Sequence, residues 1–167
     1  MKQDPKALAE QWISRLDDPA VWMITGIGQV AGTTIAYYAR KDGELVAGNA
    51  PLIVECDTGR VISTGTARRL DYYLRNYRVT GDPHVEAVER VRITGLTAEL
   101  TVVSAVRALY GFAGKGIKEA KEIGESVKAG VQVSVSPMHG VSCARLLEVI
   151  RDAGFLAEIV FEDQRKK

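Results

Sequence analysis

The chain has 167 residues, of which 46% are hydrophobic and 26% are charged, the composition of a globular protein with one ordinary domain or two small ones. Its formal net charge of +1 at pH 7 excludes the long-range field that draws basic proteins to nucleic acid or anionic membranes. Residues 1–80 carry ten Lys and Arg against nine Asp and Glu, and residues 81–167 carry twelve of each, so neither half is an acidic or basic tail.

Cysteine content and the N-terminal sequence bear on the compartment. Cys56 and Cys143 are too few and too isolated for a metal site or a disulfide framework, and they favour a reducing compartment, although a single bridge between them stays open. The N-terminal MKQDPKALAEQW has no apolar segment of the secretory type. No apolar run approaches the ~18 residues that a membrane span needs. We therefore expect a cytoplasmic protein without a membrane or nucleic-acid partner.

The first half of the chain predicts a helix, four strands and a second helix. Asp4-Pro5 is typical of a helix start, and Asp17-Asp18-Pro19 of its end. β-Branched and aromatic residues, together with the turn residues between them, predict strands at 21–27, 33–40, 51–56 and 60–64, with a hairpin link from Gly28 to Gly32. A helix at 69–78 would place one apolar stripe against the sheet, formed by Leu70, Tyr73, Leu74 and Tyr77. We expect a meander sheet covered on one face by helices.

The region 47–77 also contains a distinctive set of residues. The distinctive residues are Ala47-Gly48-Asn49-Ala50-Pro51, Asp57-Thr58-Gly59, Gly65-Thr66-Ala67, Leu70, Tyr73-Leu74 and Tyr77. In these the first eighty or so residues resemble the immunity protein 35 family of bacterial toxin–antitoxin neighbourhoods. The resemblance implies a small cytosolic partner that neutralises a toxin domain, in some neighbourhoods a papain-like peptidase.

The second half begins after a polar boundary at Thr80-Gly81-Asp82-Pro83-His84. The patterns predict strands at 86–93, 131–135 and 155–161 and helices at 98–110, 117–127 and 142–153, with Ser142 as N-cap and Gly154 as stop. The helix at 98–110 would bury one apolar stripe, formed by Leu100, Val103, Val106 and Tyr110. The order β-α-α-β-α-β predicts a small sandwich with helices on one face of the sheet.

This half resembles the C-terminal domain of the bacterial ribosomal stalk protein over about residues 86–162. The matching residues are Ala105-Val106-Arg107 with Gly111, Gly116-Ile117-Lys118-Glu119-Ala120-Lys121, and Ala153-Gly154. The resemblance implies recruitment of translation GTPases through the turn between the first two helices and the lysines beside it. That turn is about three residues longer here, around Phe112-Ala113-Gly114. The predicted organisation is thus α+β, with domains at 1–80 and 86–162 and a polar tail at 163–167.

Four patterns resemble phosphate-binding or catalytic motifs, but each lacks a residue or an element that the motif requires. Gly26-x-Gly28-x-x-x-Gly32 precedes a strand and not the helix that a phosphate loop needs, and Gly114-Lys115-Gly116 lacks the first Gly and the Ser or Thr of a P-loop. His139 and Cys143 could form a Cys–His catalytic dyad, but Gly140 lies between them and no orienting carboxylate or amide is evident nearby. Cys56 and His84 are no better as a catalytic dyad. We predict no catalytic, cofactor-binding or metal-binding residue, and no enzyme.

Two sets of residues are candidates for partner binding. One is the outer face of the helix at 69–78 and the residues before it, with Tyr72 expected to point to solvent among arginines. The other surrounds the stalk-like turn. Solvated helix faces, with lysines paired to Glu119, Glu122 and Glu125, are the alternative for both. The candidates are Arg68, Arg69, Tyr72, Arg75, Arg107, Lys115, Lys118 and Lys121.

Three functional hypotheses follow from these observations. The first is an immunity protein that occludes the active site of a cognate toxin. The second is a translation-associated adaptor that contacts an elongation GTPase or the ribosome through its stalk-like domain. The third joins them, with the stalk-like domain imitating what a translation-directed toxin recognises.

Overall fold

A computed structural model describes residues 2–44, 49–97 and 101–165. The chain divides into two compact units, Met1–Glu86 (unit 1) and Ala87–Lys167 (unit 2). Each contains helices and an antiparallel sheet, so the predicted α+β class is confirmed. The predictions made for Ala47, Gly48 and Leu100 lie outside the described residues.

Unit 1 is built on a four-stranded meander in the order β1-β2-β3-β4. Its elements are α1 (Pro5–Ile13), β1 (Trp22–Val30), β2 (Thr33–Arg40), β3 (Leu52–Glu55), β4 (Arg60–Ser63) and α2 (Leu70–Thr80). The Asp4 carboxylate caps α1 by accepting from the N–H groups of Lys6 and Ala7, each at 3.2 Å. These hydrogen bonds satisfy donors that a helix start leaves unpaired.

The hairpin between β1 and β2 is tighter than the sequence predicted. Gly28 lies within β1, and the turn consists of Ala31 and Gly32, whose φ angles are 48° and 80°. Two successive residues in the left-handed region are the mark of a type I′ turn, whose twist matches that of the flanking strands. The strand therefore continues three residues beyond its predicted end at residue 27.

The helices of unit 1 lie on opposite faces of the sheet, so the expectation of a single covered face was wrong. Leu52 and Val54 pack in one buried cluster with residues of α1, whereas Ile53 packs with Leu74 of α2 in another. Successive strand residues point to opposite faces. Because three consecutive β3 residues are buried, both faces of that strand are covered.

Unit 2 has the predicted element order around a sheet in the order β6-β5-β7. Its elements are β5 (Ala87–Leu96), α3 (Val102–Ala113), α4 (Ile117–Lys128), β6 (Val133–Val135), α5 (Cys143–Asp152) and β7 (Phe155–Asp163). Ser142 caps α5 by accepting from the N–H of Arg145 at 3.2 Å, as predicted. Asp163, assigned to the tail by sequence, ends β7 and is buried.

Helix α3 buries a different stripe from the one predicted. Val103 is 74% exposed and Tyr110 is 61% exposed, whereas Leu109 is fully buried. Ala105, Ala108 and Ala113 complete the inward stripe, which joins α4 and α5 in a single cluster. Val102, Val103 and Tyr110 face outward, whereas Val106 is half-buried and packs against the cluster, as predicted. The prediction was wrong for Val103 and Tyr110 because α3 has two apolar stripes, and periodicity alone does not show which of them is buried.

The expected insertion between the first two helices of unit 2 lies within α3. Phe112 and Ala113 are helical, and the helix ends at Gly114, whose φ of 63° is the left-handed conformation of a C-cap. The connecting turn is therefore short, from Gly114 to Gly116, and α4 begins at Ile117.

Candidate partner-binding surfaces

The α2 surface centres on Tyr72, whose ring lies close to two arginine side chains. The guanidinium carbon of Arg75 lies 5.4 Å from the ring centroid and that of Arg68 lies 6.0 Å from it. Tyr72 also meets Tyr73 edge to face, with centroids 5.4 Å apart. Cations over an aromatic face are attracted by its quadrupole, by about 0.5–1 kcal/mol each at exposed sites. The three side chains therefore hold one another in place.

The structure corrects one prediction about this surface and sets one candidate residue apart. Tyr72 is half-buried and does not point freely to solvent, because Tyr73 and the arginines cover part of its ring. Arg69 does not join the cluster and pairs instead with Asp71, at 3.5 Å and with both side chains largely exposed. The α2 surface is thus formed by Arg68, Tyr72 and Arg75.

Tyr73 anchors the α2 surface from below. It is 5% exposed, and a Cβ added at Gly65 would overlap its phenol group. The ring of Tyr73 also meets that of His84 at 5.8 Å, and His84 Nε2 lies 2.9 Å from the carbonyl oxygen of Ser63. The glycine of the Gly65-Thr66-Ala67 motif therefore has a physical role, since a bulkier residue would displace the base of α2.

Asn76 is a buried polar residue that the sequence analysis missed. It is 0% exposed, and its Nδ2 donates to the carbonyl oxygen of Pro83 at 3.3 Å. The backbone carbonyl oxygen of Asn76 accepts from Thr80 Oγ1 at 2.9 Å. These bonds hold the predicted linker against α2. An asparagine on a helix ordinarily indicates a solvated position. The signal that could have predicted its burial is the spacing of three residues from Tyr73, which places both side chains on the same face of α2.

A polar cluster at the strand ends of unit 1 fixes the other side of α2. The Glu55 carboxylate accepts from Tyr77 Oη at 2.8 Å and also from Thr58 Oγ1, and it lies 3.5 Å from Arg60. Burial and the hydrogen bond to Glu55 raise the pKa of Tyr77 to about 12. The Asp57-Thr58-Gly59 turn thus connects to α2 through a carboxylate and a phenol, which is a structural arrangement.

The second surface is an apolar groove between α3 and α4, with a volume of about 520 Å³. Val102 and Val106 line it from α3, and Ala120, Lys121 and Lys128 line it from α4. Val102, Val103 and Tyr110 are each more than half exposed on α3. Single exposed apolar residues are ordinary, but several on one helix are typical of a surface that meets another molecule.

The predicted basic residues of unit 2 have different surroundings. Lys115 pairs with Glu119 at 2.7 Å, and Lys118, which is 92% exposed, lies 3.9 Å from Glu122. These are i,i+4 pairs of an ordinary solvated helix face. Lys121 lines the groove and forms no ion pair within residues 2–44, 49–97 and 101–165, and Arg107 is exposed on α3. Arg107 and Lys121 therefore remain the best candidates of this set.

The cysteines have structural surroundings. Cys143 is buried at the start of α5, where its thiol donates to the carbonyl oxygen of Glu89 at 3.4 Å. Burial raises the pKa of this thiol, the opposite of what activates a nucleophile. Among the described residues, no group of three or more His, Cys, Asp or Glu side chains is placed to hold a metal ion.

Comparison with known proteins gives a relative in Escherichia coli. The chain is 34% identical over 83 residues to the uncharacterized protein YrhB of strain K12, and the match covers 46% of this chain and 86% of YrhB. This chain belongs to the YrhB family. The YrhB match is about as long as one compact unit, so family membership accounts for less than half of the molecule.

Other comparisons add no further relative. No family profile matches the chain. No solved structure matches it either. In the part of the chain that the structure describes, each helix is too short or too polar to cross a membrane.

Proposed function

We propose that the protein is an immunity protein that binds a cognate toxin domain and blocks its active site. The resemblance of residues 47–77 to immunity proteins motivates the proposal, and the α2 surface is the observation that carries it. Tyrosine and arginine are the residue types that contribute most to binding energy at protein interfaces. At the start of α2 they form one contiguous cluster, in which Arg68 from the preceding loop joins Tyr72 and Arg75 of the helix.

The α2 surface is also preorganised. Tyr72 rests on Tyr73, which is itself buried, and the arginines lie over the Tyr72 ring. Binding a flexible side chain costs about 0.5–1.5 kcal/mol of conformational freedom, and a side chain already held in place avoids part of this cost. A stable inhibitor interface of about 1,600 Å² needs a few such anchors surrounded by weaker contacts.

Co-expression with each protein encoded by a neighbouring gene, and a search for one whose toxicity this chain relieves, tests the proposal. The variant Tyr72→Ala with Arg75→Glu should lose growth rescue, because it removes the aromatic anchor and reverses a neighbouring charge. Arg69→Glu is the matched control, since Arg69 lies on the same helix end but pairs with Asp71 outside the cluster. Circular dichroism should show that both variants are folded.

Full growth rescue by the Tyr72→Ala, Arg75→Glu variant would show that the α2 surface does not contact the toxin. Failure of the wild-type chain to neutralise any neighbouring toxin would end the immunity proposal itself.

A translation-associated adaptor is the second candidate, and the exposed face of α3 favours it. Val103 and Tyr110 are exposed beside Arg107, next to the groove lined by Lys121. An apolar face with a basic rim suits a partner whose surface is apolar and acidic. Such a partner would be an elongation GTPase or the ribosome.

Co-sedimentation with ribosomes and with purified elongation GTPases tests the adaptor. Val103→Asp with Lys121→Glu should abolish binding, whereas Lys118→Glu should leave it nearly unchanged, because Lys118 projects into solvent beside Glu122. Equal effects of the two variants, or no co-sedimentation of the wild-type chain, would exclude this function.

A further inference from the structure

Strand β1 is an edge of the unit 1 sheet without the usual protection. It has nine residues, and β2 is its neighbour on one side only. The N–H of Trp22 donates to the carbonyl oxygen of Pro19. Within the described residues, the main chain of residues 23–30 hydrogen-bonds to β2 and to no other backbone. A free strand edge presents unpaired N–H and C=O groups, which makes it a template for another strand.

Charge is the commonest protection of such edges, and β1 has none. Its sequence WMITGIGQV contains no charged residue and no proline. Strand β7 is also a nine-residue edge, but it carries Glu158, Glu162 and Asp163. The edge strand β4 has four residues, beginning with Arg60, and β6 has three. Of the described edges, β1 is thus the long one without charge.

The face of the sheet beside this edge is apolar and open. By strand alternation, Met23, Gly26, Gly28 and Val30 lie on the same face as Tyr37 of β2. Met23 is 43% exposed, Tyr37 39% and Val30 36%. The glycines leave a strip without side chains, and a Cβ added at Gly28 would meet nothing within 4 Å. We call these five residues the β1 edge patch.

One feature restricts where a partner strand can pair. The register between β1 and β2 shifts between Ile24 and Gly26, which marks a bulge at Thr25. A bulge twists the edge and interrupts regular pairing. From Gly26 to Val30 the register is continuous up to the turn, so this segment provides the regular edge.

We propose that the β1 edge patch is a homodimer interface, in which Gly26–Val30 pairs antiparallel with the same segment of a second copy. An uncharged and extended strand that is free at its own edge suits this patch best, because pairing then places no charge against its apolar side chains. Among the described strands, β1 itself meets these conditions. A two-fold axis normal to the sheet makes the contact isologous. It also places the glycine strips and apolar side chains of both copies on the same face, so the meanders join into one continuous sheet.

Sedimentation velocity of the full chain, at concentrations up to about 1 mM, tests the proposal. The wild-type protein should shift from monomer to dimer as its concentration rises. Gly28→Lys should raise the dimer dissociation constant about tenfold or more, because two like charges would face each other across the paired strands. The added side chain has open space and Gly28 is not in a left-handed conformation, so the fold should tolerate it.

Leu156→Lys is the matched control. Leu156 is 51% exposed on β7, the other nine-residue edge, so this variant adds the same charge to an edge outside the proposed interface. It should dimerise like the wild-type chain. Amide exchange gives a second measurement: residues 26–30 should exchange more slowly in the dimer, and residues 156–162 should not change.

Three results would overturn the proposal. A wild-type chain that stays monomeric at every concentration up to about 1 mM would overturn it, and would leave a strand of another protein as the partner of the β1 edge. A dimer that persists in Gly28→Lys, or that forms without slower exchange at residues 26–30, would use another surface. None of these outcomes depends on toxin binding, so dimerisation and the immunity proposal can fail separately.

Discussion

In unit 1 a helix lies on each face of the sheet, whereas in unit 2 the helices share a single buried cluster on one face. The other face of the unit 2 sheet carries a network of charged side chains. Glu162 accepts from Arg92 at 3.1 Å and from Ser134, and it lies 3.7 Å from Arg90. Burial opposes ionisation of Glu162, yet the hydrogen bonds from Ser134 and Arg92 and the neighbouring arginine charges lower its pKa below the usual value.

The difference determines where each unit leaves apolar surface. In unit 1, the edge strand β1 keeps exposed apolar side chains, Met23, Ile27 and Val30, although each face of the sheet carries a helix. Packing helices on a single face leaves the outermost helix with an unused stripe, the exposed face of α3. A partner should therefore meet unit 1 at a strand edge or at α2, and unit 2 at a helix.

The largest expected change in stability comes from substitutions in α3, where the buried and the exposed apolar stripes should respond differently. Leu109→Ala should destabilise unit 2 by about 3 kcal/mol, because it opens a cavity in a fully buried position. Val103→Ala should change stability by less than about 0.5 kcal/mol, since Val103 is exposed. Hydrogen exchange resolved by residue would measure both. Similar losses would mean that α3 packs through its valines, as the sequence had predicted.

Gly65→Ala should destabilise unit 1 by about 2 kcal/mol, because the new methyl group would overlap the buried Tyr73. Gly28→Ala is the control, since its Cβ has open space, and it should be neutral or slightly stabilising. Denaturant unfolding followed by tyrosine and tryptophan fluorescence would report the change. Equal stability of the two variants would contradict the close packing of Gly65 against Tyr73.

Tyr77→Phe should cost about 1 kcal/mol through loss of the hydrogen bond to Glu55. The pKa of Tyr77 is about 12 in the folded protein and about 10 in an unfolded chain. The protonated phenol is therefore favoured by folding: its contribution is complete below pH 10 and is lost as the pH rises from about 10 to 12. The wild-type chain should lose stability more steeply than Tyr77→Phe in this window, and parallel alkaline curves would exclude the contact.

Ala31→Asn should give the smallest effect, a gain of about 0.5 kcal/mol. Ala31 has a φ of 48°, and asparagine tolerates this left-handed conformation better than alanine does. The gain should appear as a higher midpoint in thermal unfolding, with the dimer dissociation constant unchanged if β1 keeps its register. A loss of stability would mean that the turn is not of type I′.

The sequence by itself determined the elements that depend on local physics. The Asp4 and Ser142 caps, the meander order and the β-α-α-β-α-β order all follow from signals within a few residues, and the structure has them. Of the candidate surfaces, the sequence also placed Tyr72 with Arg68 and Arg75 in one short segment, because helical spacing brings such residues together.

Tertiary structure decided which surfaces are covered. Periodicity shows that α3 has apolar stripes, but which stripe is buried depends on how closely α4 and α5 approach, and alanines allow the closer packing. In the same way, the burial of Asn76 depends on the return of Pro83, and the open edge of β1 depends on the order of the strands in the sheet. These outcomes are contacts between segments distant along the chain, so no local pattern contains them.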